Sequence, residues 1–264
     1  MRWPSAALLI ALAAPATAQE AATMRLAPPI AGLGRLVPLE APLEVGRAGW
    51  GPFGRVCTET SDLNRGSPRA GPTLCLRLRA AREAAGWRVH AQPEARGTAA
   101  GPLYAMLRRD DGTVSEVTAE PPGGTAPLTP EQRAGLLATG RATLESLGIP
   151  RQRLTPGARF TLPLPRVTEG QGDTGRGLDC LPEGRASLGG REVVAARCLA
   201  RLEGRLTPTA LGSVIVAGQF AVDVETGLLV GQSYATRVET FTTTPGQPPR
   251  SNGVVMTLSR TRIE

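Results

Sequence analysis

The chain has 264 residues, four cysteines, one histidine and 30 cationic side chains, every one of them arginine, for a formal net charge of +7. Without lysine there is no Walker-type phosphate loop, no Schiff-base lysine and no Ser-Lys dyad, and a single histidine excludes multi-histidine metal sites. The arginines are scattered, with only Arg108 and Arg109 adjacent, and aromatic residues are 3% of the chain; a nucleic-acid binder shows a clustered basic stripe and stacking aromatics, so no nucleic-acid partner is expected.

Residues 1–18 read as an export signal. Residues 6–14 are an apolar core too short to span a bilayer, and Ala16-Thr17-Ala18 offers the small-x-small pattern of a cleavage site between Ala18 and Gln19. The mature protein is then expected in the periplasm. No later segment is apolar for long enough to cross a membrane as a helix, so no spanning segment is expected after cleavage.

Residues 19–50 carry Pro28-Pro29, Pro38 and Pro42 and suggest an extended lead-in with one edge strand near residues 35–39. Residues 51–120 follow a β pattern. From Thr73 to Ala80 the leucines 74, 76 and 78 alternate with Cys75, Arg77 and Arg79, the period of a strand with one wet face. Residues 87–91 return after a turn near Gly86, and residues 103–109 and 114–119 flank Asp111-Gly112 as a hairpin.

One amphipathic helix is expected over about 130–147. Thr129-Pro130-Glu131-Gln132 combines an N-cap, a first-turn proline and a capping-box glutamine. Leu136, Leu137, Leu144 and Leu147 recur at helical spacing, Arg141 and Glu145 form an i,i+4 pair, and Gly148 and Pro150 stop the helix. Gly140 in its middle marks a close approach to a sheet. Strands are expected again at 159–164, 178–182, 191–204, 211–224, 227–242 and 253–263. With Glu225-Thr226-Gly227 as one of the tight turns, they make an antiparallel meander.

Cys57 and Cys75 are eighteen positions apart, as are Cys180 and Cys198. An exported chain keeps disulfides, and four cysteines allow three connectivities. Sequential pairing closes one local hairpin with each bridge and is the expected one. A four-thiolate metal site would bring its ligands as tight C-x₂₋₄-C pairs, which are absent. The two halves, 51–120 and 158–264, echo each other around these cysteines; a duplicated β unit produces that, and so does chance in a biased composition.

No motif rises to a catalytic signature. Gly170-Gln171-Gly172-Asp173-Thr174-Gly175 matches G-x-G-x-x-G but lacks a helix after it, and Asp173-Thr174-Gly175 lacks the apolar flanks of an aspartic protease. His90 lacks a nucleophile elbow and reads as a strand histidine. No catalytic, cofactor or metal residue is expected. The segment from Val214 to Val222 is apolar on both faces, so its sheet must be covered twice, by the helix on one side and by a second layer, a partner or a ligand on the other.

The fold class expected is mainly β, a curved antiparallel sheet of about ten strands with one helix against it. Leu154-Thr155-Pro156-Gly157-Ala158-Arg159-Phe160 after the helix, and Phe220-Ala221-Val222-Asp223-Val224-Glu225-Thr226-Gly227-Leu228 in the closing meander, resemble the half-barrel domains of periplasmic lipoprotein carriers and of other exported β proteins. The resemblance implies an unclosed barrel and brings no site residue with it. The expected function is a non-enzymatic periplasmic module binding an apolar ligand or envelope component in the concave face of its sheet. The alternatives are an envelope assembly protein acting on anionic partners through its arginine-rich surface and, third, an atypical hydrolase.

Overall fold

The computed structural model describes residues 18–47, 54–64, 69–94, 101–110, 114–122, 127–162, 177–207, 210–242 and 250–263. In chain order they form helix α1 (residues 18–26), β1 (Leu43–Val45), β2 (Arg55–Asp62), β3 (Arg69–Glu83), β4 (Gly86–Pro93), β5 (Leu103–Arg108) and β6 (Val114–Glu120), then helix α2 (Pro130–Glu145). β7 (Gln152–Leu154), β8 (Phe160–Leu162), β9 (Leu178–Leu188), β10 (Arg191–Thr207), β11 (Ala210–Asp223), β12 (Leu229–Thr242) and β13 (Arg250–Ile263) follow.

Eleven strands make one curved, unclosed antiparallel sheet in the order β6-β5-β4-β3-β2-β13-β12-β11-β10-β9-β8, and β1 pairs with β7 apart from it. Each half is a meander. The halves become one sheet because the last strand pairs with β2, from Thr257 opposite Asp62 to Ile263 opposite Val56. A strand stands at each expected position except 35–39, some longer than expected and some shorter, the one expected at 159–164 being Phe160–Leu162 among the described residues; the further short strands β1 and β7 have three residues each, too few for a period-two signal.

α2 forms for the reasons visible in its sequence. The Thr129 hydroxyl accepts from the Gln132 backbone N–H at 3.2 Å, and Gln132 Oε1 accepts from the Thr129 N–H at 2.9 Å, a reciprocal box that satisfies two otherwise orphaned donors. Arg141 and Glu145 pair at 3.2 Å on the wet side. The other side lies on β5 and β6. Gly140 is where the approach is closest, since a Cβ there would stand 2.5 Å from the Tyr104 ring.

The two-sided apolar strand β11 is covered twice, but not by α2. On its inner side Val214, Val216, Phe220 and Val222 join a core with Val45, Ile149, Leu154 and Leu162, brought by β1, β7 and their neighbours. On the outer side the covering comes from the N-terminal segment. Residues 19–26 form a helix where an extended lead-in was expected; the run Glu20 to Leu26 contains good helix formers, and Pro28-Pro29 ends it. The strap after α1 is tied to the sheet: Ile30 N–H donates to Gln219 Oε1 at 3.1 Å, and the Ser233 hydroxyl donates to the Pro28 carbonyl at 2.6 Å. Alanines 195, 217, 221 and 235 are fully buried on this side, and their small size lets the segment lie close. Instead of an edge strand at 35–39 there is a single bridge, Val37 opposite Arg185.

The turn between β11 and β12 works as read from its residues. Gly227 has φ of 72°, and Asp223 Oδ1 accepts from both the N–H and the hydroxyl of Thr226 at 2.7 Å. Ile149 N–H donates to the Gly227 carbonyl at 2.8 Å, so the same turn docks the chain leaving α2.

Candidate functional site

Strand periodicity sorts the side chains of the central strands into two unlike faces. Cys180, Cys198, Gly218, Tyr234, Ser259 and Thr60 stand in one row across β9, β10, β11, β12, β13 and β2, on the side that α2 covers further along. Its neighbours on that inner side are Gln232, Thr236 and Val238 on β12, Val255, Thr257 and Thr261 on β13, and Val56 and Thr58 on β2. Across β11, β12, β13 and β2 this face holds one carboxylate, Asp62, at its far end. The Asp62 carboxylate is engaged by the Asn64 N–H at 2.8 Å and its Nδ2 at 2.6 Å. The opposite face of the same strands carries Arg237, Arg260, Arg262, Glu59 and Glu239.

Four hydroxyls of the inner face are paired with one another. Thr58 Oγ1 and Thr261 Oγ1 are 2.8 Å apart, and the Tyr234 phenol is hydrogen-bonded to Ser259. Tyr234 stacks on Phe220 with ring centroids 5.6 Å apart. Burial raises the Tyr234 pKa above the ordinary phenol value, with the Ser259 bond opposing. A phenol raised in the folded state stabilises the fold below the unfolded value of about 10, and that contribution is lost as pH rises through the folded value. Urea titrations at pH 8 and above pH 10 should therefore show a steeper alkaline loss of stability for the wild type than for Tyr234→Phe.

A cavity of about 140 Å³ lies where the end of α2 meets this band, between Thr143 and Ser146 on one side and Thr58, Gln232, Tyr234 and Thr261 on the other. No charged side chain lines it. From there the face opens along the strands. Ser259 and Thr236 are buried, Thr257 and Val238 are half-buried, and Val255 is 53% exposed; Leu74, opposite Thr58 at the helix end, is 62% exposed. The arrangement is a trough about 20 Å long, from Thr261 to Val255, with the Asn64-engaged Asp62 beside Thr257 as its one charged group among the described residues, closed at the helix end and open at the other.

The residues singled out in the sequence fall as follows. Cys57 is bonded to Cys75, and Cys180 to Cys198, in directly opposed positions of β2–β3 and β9–β10. The second bridge is fully buried on the inner face; the first lies on the outer face. Ala18 and Gln19 begin α1, and residues 1–17 lie outside the described residues. The Gly170–Gly175 and Asp173-Thr174-Gly175 motifs, and Trp50 and Phe53, also lie outside them. His90 is half-buried on β4, opposite Arg79 and Ala105, and hydrogen-bonds to no serine or carboxylate among the described residues. Trp87 is half-buried with the Arg82 guanidinium 5.7 Å from its ring centroid. Among the described residues no group of three or more His, Cys, Asp or Glu could hold a metal ion, and no helix is long and apolar enough to cross a membrane. Sequence reasoning missed the trough because its residues come from strands at both ends of the chain; only the alternation Thr257-Ser259-Thr261 against Leu258-Arg260-Arg262 hinted at a face without charge.

Neither a protein-family model nor a curated protein matches this chain.

Proposed function

We propose that the protein is an exported, non-enzymatic module that holds an apolar ligand, an acyl chain or the apolar part of an envelope component, in the trough of its inner face. One observation carries this reading. A chain with 30 arginines keeps them off the inner face of β11, β12, β13 and β2 between Thr261 and Val255, and leaves Val255 exposed at the open end and Leu74 exposed beside Thr58. Exposing aliphatic side chains beside a face cleared of cations costs solubility and is retained where a partner covers them. Paired hydroxyls leave few unmet donors for an apolar ligand to bury, so desolvating this face is cheap. The export signal and two disulfides support a periplasmic location, since such bridges persist in oxidising compartments.

The test is titration of the purified chain with the uncharged fluorophore N-phenyl-1-naphthylamine. Saturable binding is expected, unchanged between about 0.05 and 0.5 M salt because burial of apolar surface is not screened as charge is. A linear, non-saturating response removes the reading.

A further inference from the structure

The closed end of the trough has polar groups of one kind only, uncharged ones, and that chemistry selects among the ligands a trough can hold. The cavity of about 140 Å³ beside the end of α2 is several times the roughly 30 Å³ share of a water molecule, room for a head group of a few heavy atoms. Val56, Leu76, Leu147 and Leu229 form its apolar wall. Most of its polar groups are already engaged. Thr58 pairs with Thr261, Tyr234 with Ser259, and the Ser146 hydroxyl donates to the Thr143 carbonyl at 2.9 Å.

Gln232 is the exception. It lies on the inner face, opposite Phe220 on β11 and Thr261 on β13. It is half-buried, and its side chain hydrogen-bonds to nothing among the described residues. A primary amide carries two donors and an acceptor, so Gln232 offers a ligand both halves of a hydrogen-bonding site. Neither sign of charge is served beside it, since no arginine and no carboxylate lines the cavity. The last turn of α2 supplies Ala142 and Thr143, which brings the negative end of the helix dipole to the cavity and opposes an anion. Asp62, opposite Thr257 further along the face, opposes an anion too. A charged head brought to the closed end loses its hydration without a counterion, whereas a hydroxyl or an amide exchanges water for Gln232.

We propose that the ligand of the trough is a single-chain amphiphile with an uncharged, hydrogen-bonding head, of the monoacylglycerol or long-chain alcohol type. It binds head inward, the head on Gln232 and the chain along Thr236, Val238 and Val255 toward the open end. This inference rests on the trough being an apolar site and adds to it the chemistry and direction of the head group.

The test uses the full chain loaded with N-phenyl-1-naphthylamine and three competitors of equal chain length, each below its aggregation concentration: 1-monododecanoylglycerol, dodecanoate and dodecyltrimethylammonium. At about pH 8, where the carboxylate is ionised, the glyceride is expected to displace the dye with at least about tenfold higher affinity than either ion. Gln232→Leu should weaken the glyceride by about tenfold and leave the affinity for the dye within about twofold of the wild type. Thermal melts establish that the variant remains folded. Saturable dye binding with the three competitors ranked equally, or with an ion ranked first, overturns the head-group inference and leaves the trough standing. Glyceride binding that Gln232→Leu leaves unaltered does the same. Absence of saturable dye binding removes the trough, and this inference with it.

Discussion

Replacing Cys180 and Cys198 together by alanine is expected to lower the unfolding free energy by about 4 kcal/mol, against about 3 kcal/mol for the same change at Cys57 and Cys75. Both bridges close loops of the same sequence separation, 18 residues, so the chain-entropy contribution is equal. The difference comes from place. Cys180 and Cys198 are both fully buried in the inner core with Leu178, Ala196 and Phe220, and removing two sulfurs there leaves a void that packed strands cannot close. Cys57 and Cys75 lie on the outer face of the sheet, where Cys75 is half-buried and solvent can fill the space. Urea unfolding of the two double variants checks this. A larger loss at Cys57–Cys75 would contradict the placement of the second bridge in the core.

Gly218→Ala is expected to cost about 3 kcal/mol or more, although alanine is otherwise a small change in a strand. Its backbone is not in the left-handed region, so conformation is not the obstacle. Space is. A Cβ at this position would stand 2.2 Å from the Ser233 carbonyl oxygen and 2.5 Å from the Tyr234 Cα. Gly218 lies between Cys198 and Tyr234 in the cross-strand row, so the extra carbon pushes β11 from β12 at the point where the buried disulfide and the Phe220–Tyr234 stack meet. Such crowding cannot be relieved by turning a side chain, since the obstructing atoms are mostly backbone. Thermal unfolding reads the effect directly. A variant as stable as the wild type would show that β11 and β12 can separate without loss.

What could be read from the residues was what depends on near neighbours. The capping box at Thr129 and Gln132, the alternation in β3, the αL glycine at 227 and the helical glycine at 140 each have a cause within a few positions, and each stands in the structure as its local chemistry implies. The features with remote causes were not legible. The pairing of β13 with β2 joins residues about 200 positions apart, and nothing in either strand names its partner. Two-sided burial of Val214 to Val222 could be seen, but not that the strap at Pro28 and Ile30 and the β1–β7 pair supply the covers while α2 lies on β5 and β6. α1 was hidden because the prolines at 28 and 29 colour the whole lead-in, whereas they act only on the residues at the helix end. The trough exists only once the two chain ends share a sheet, so it could not be assembled from one segment.

The central claim, that the inner face is where an apolar ligand is held, is tested most directly by placing a cation on its exposed aliphatic residues. Leu74→Arg and Val255→Arg alter exposed side chains and should leave the melting temperature near that of the wild type. Titrated with N-phenyl-1-naphthylamine, each folded variant is predicted to bind at least about tenfold more weakly, because a guanidinium must then be desolvated or moved aside for the ligand to enter. Undiminished binding in both variants would place the dye elsewhere and contradict the account.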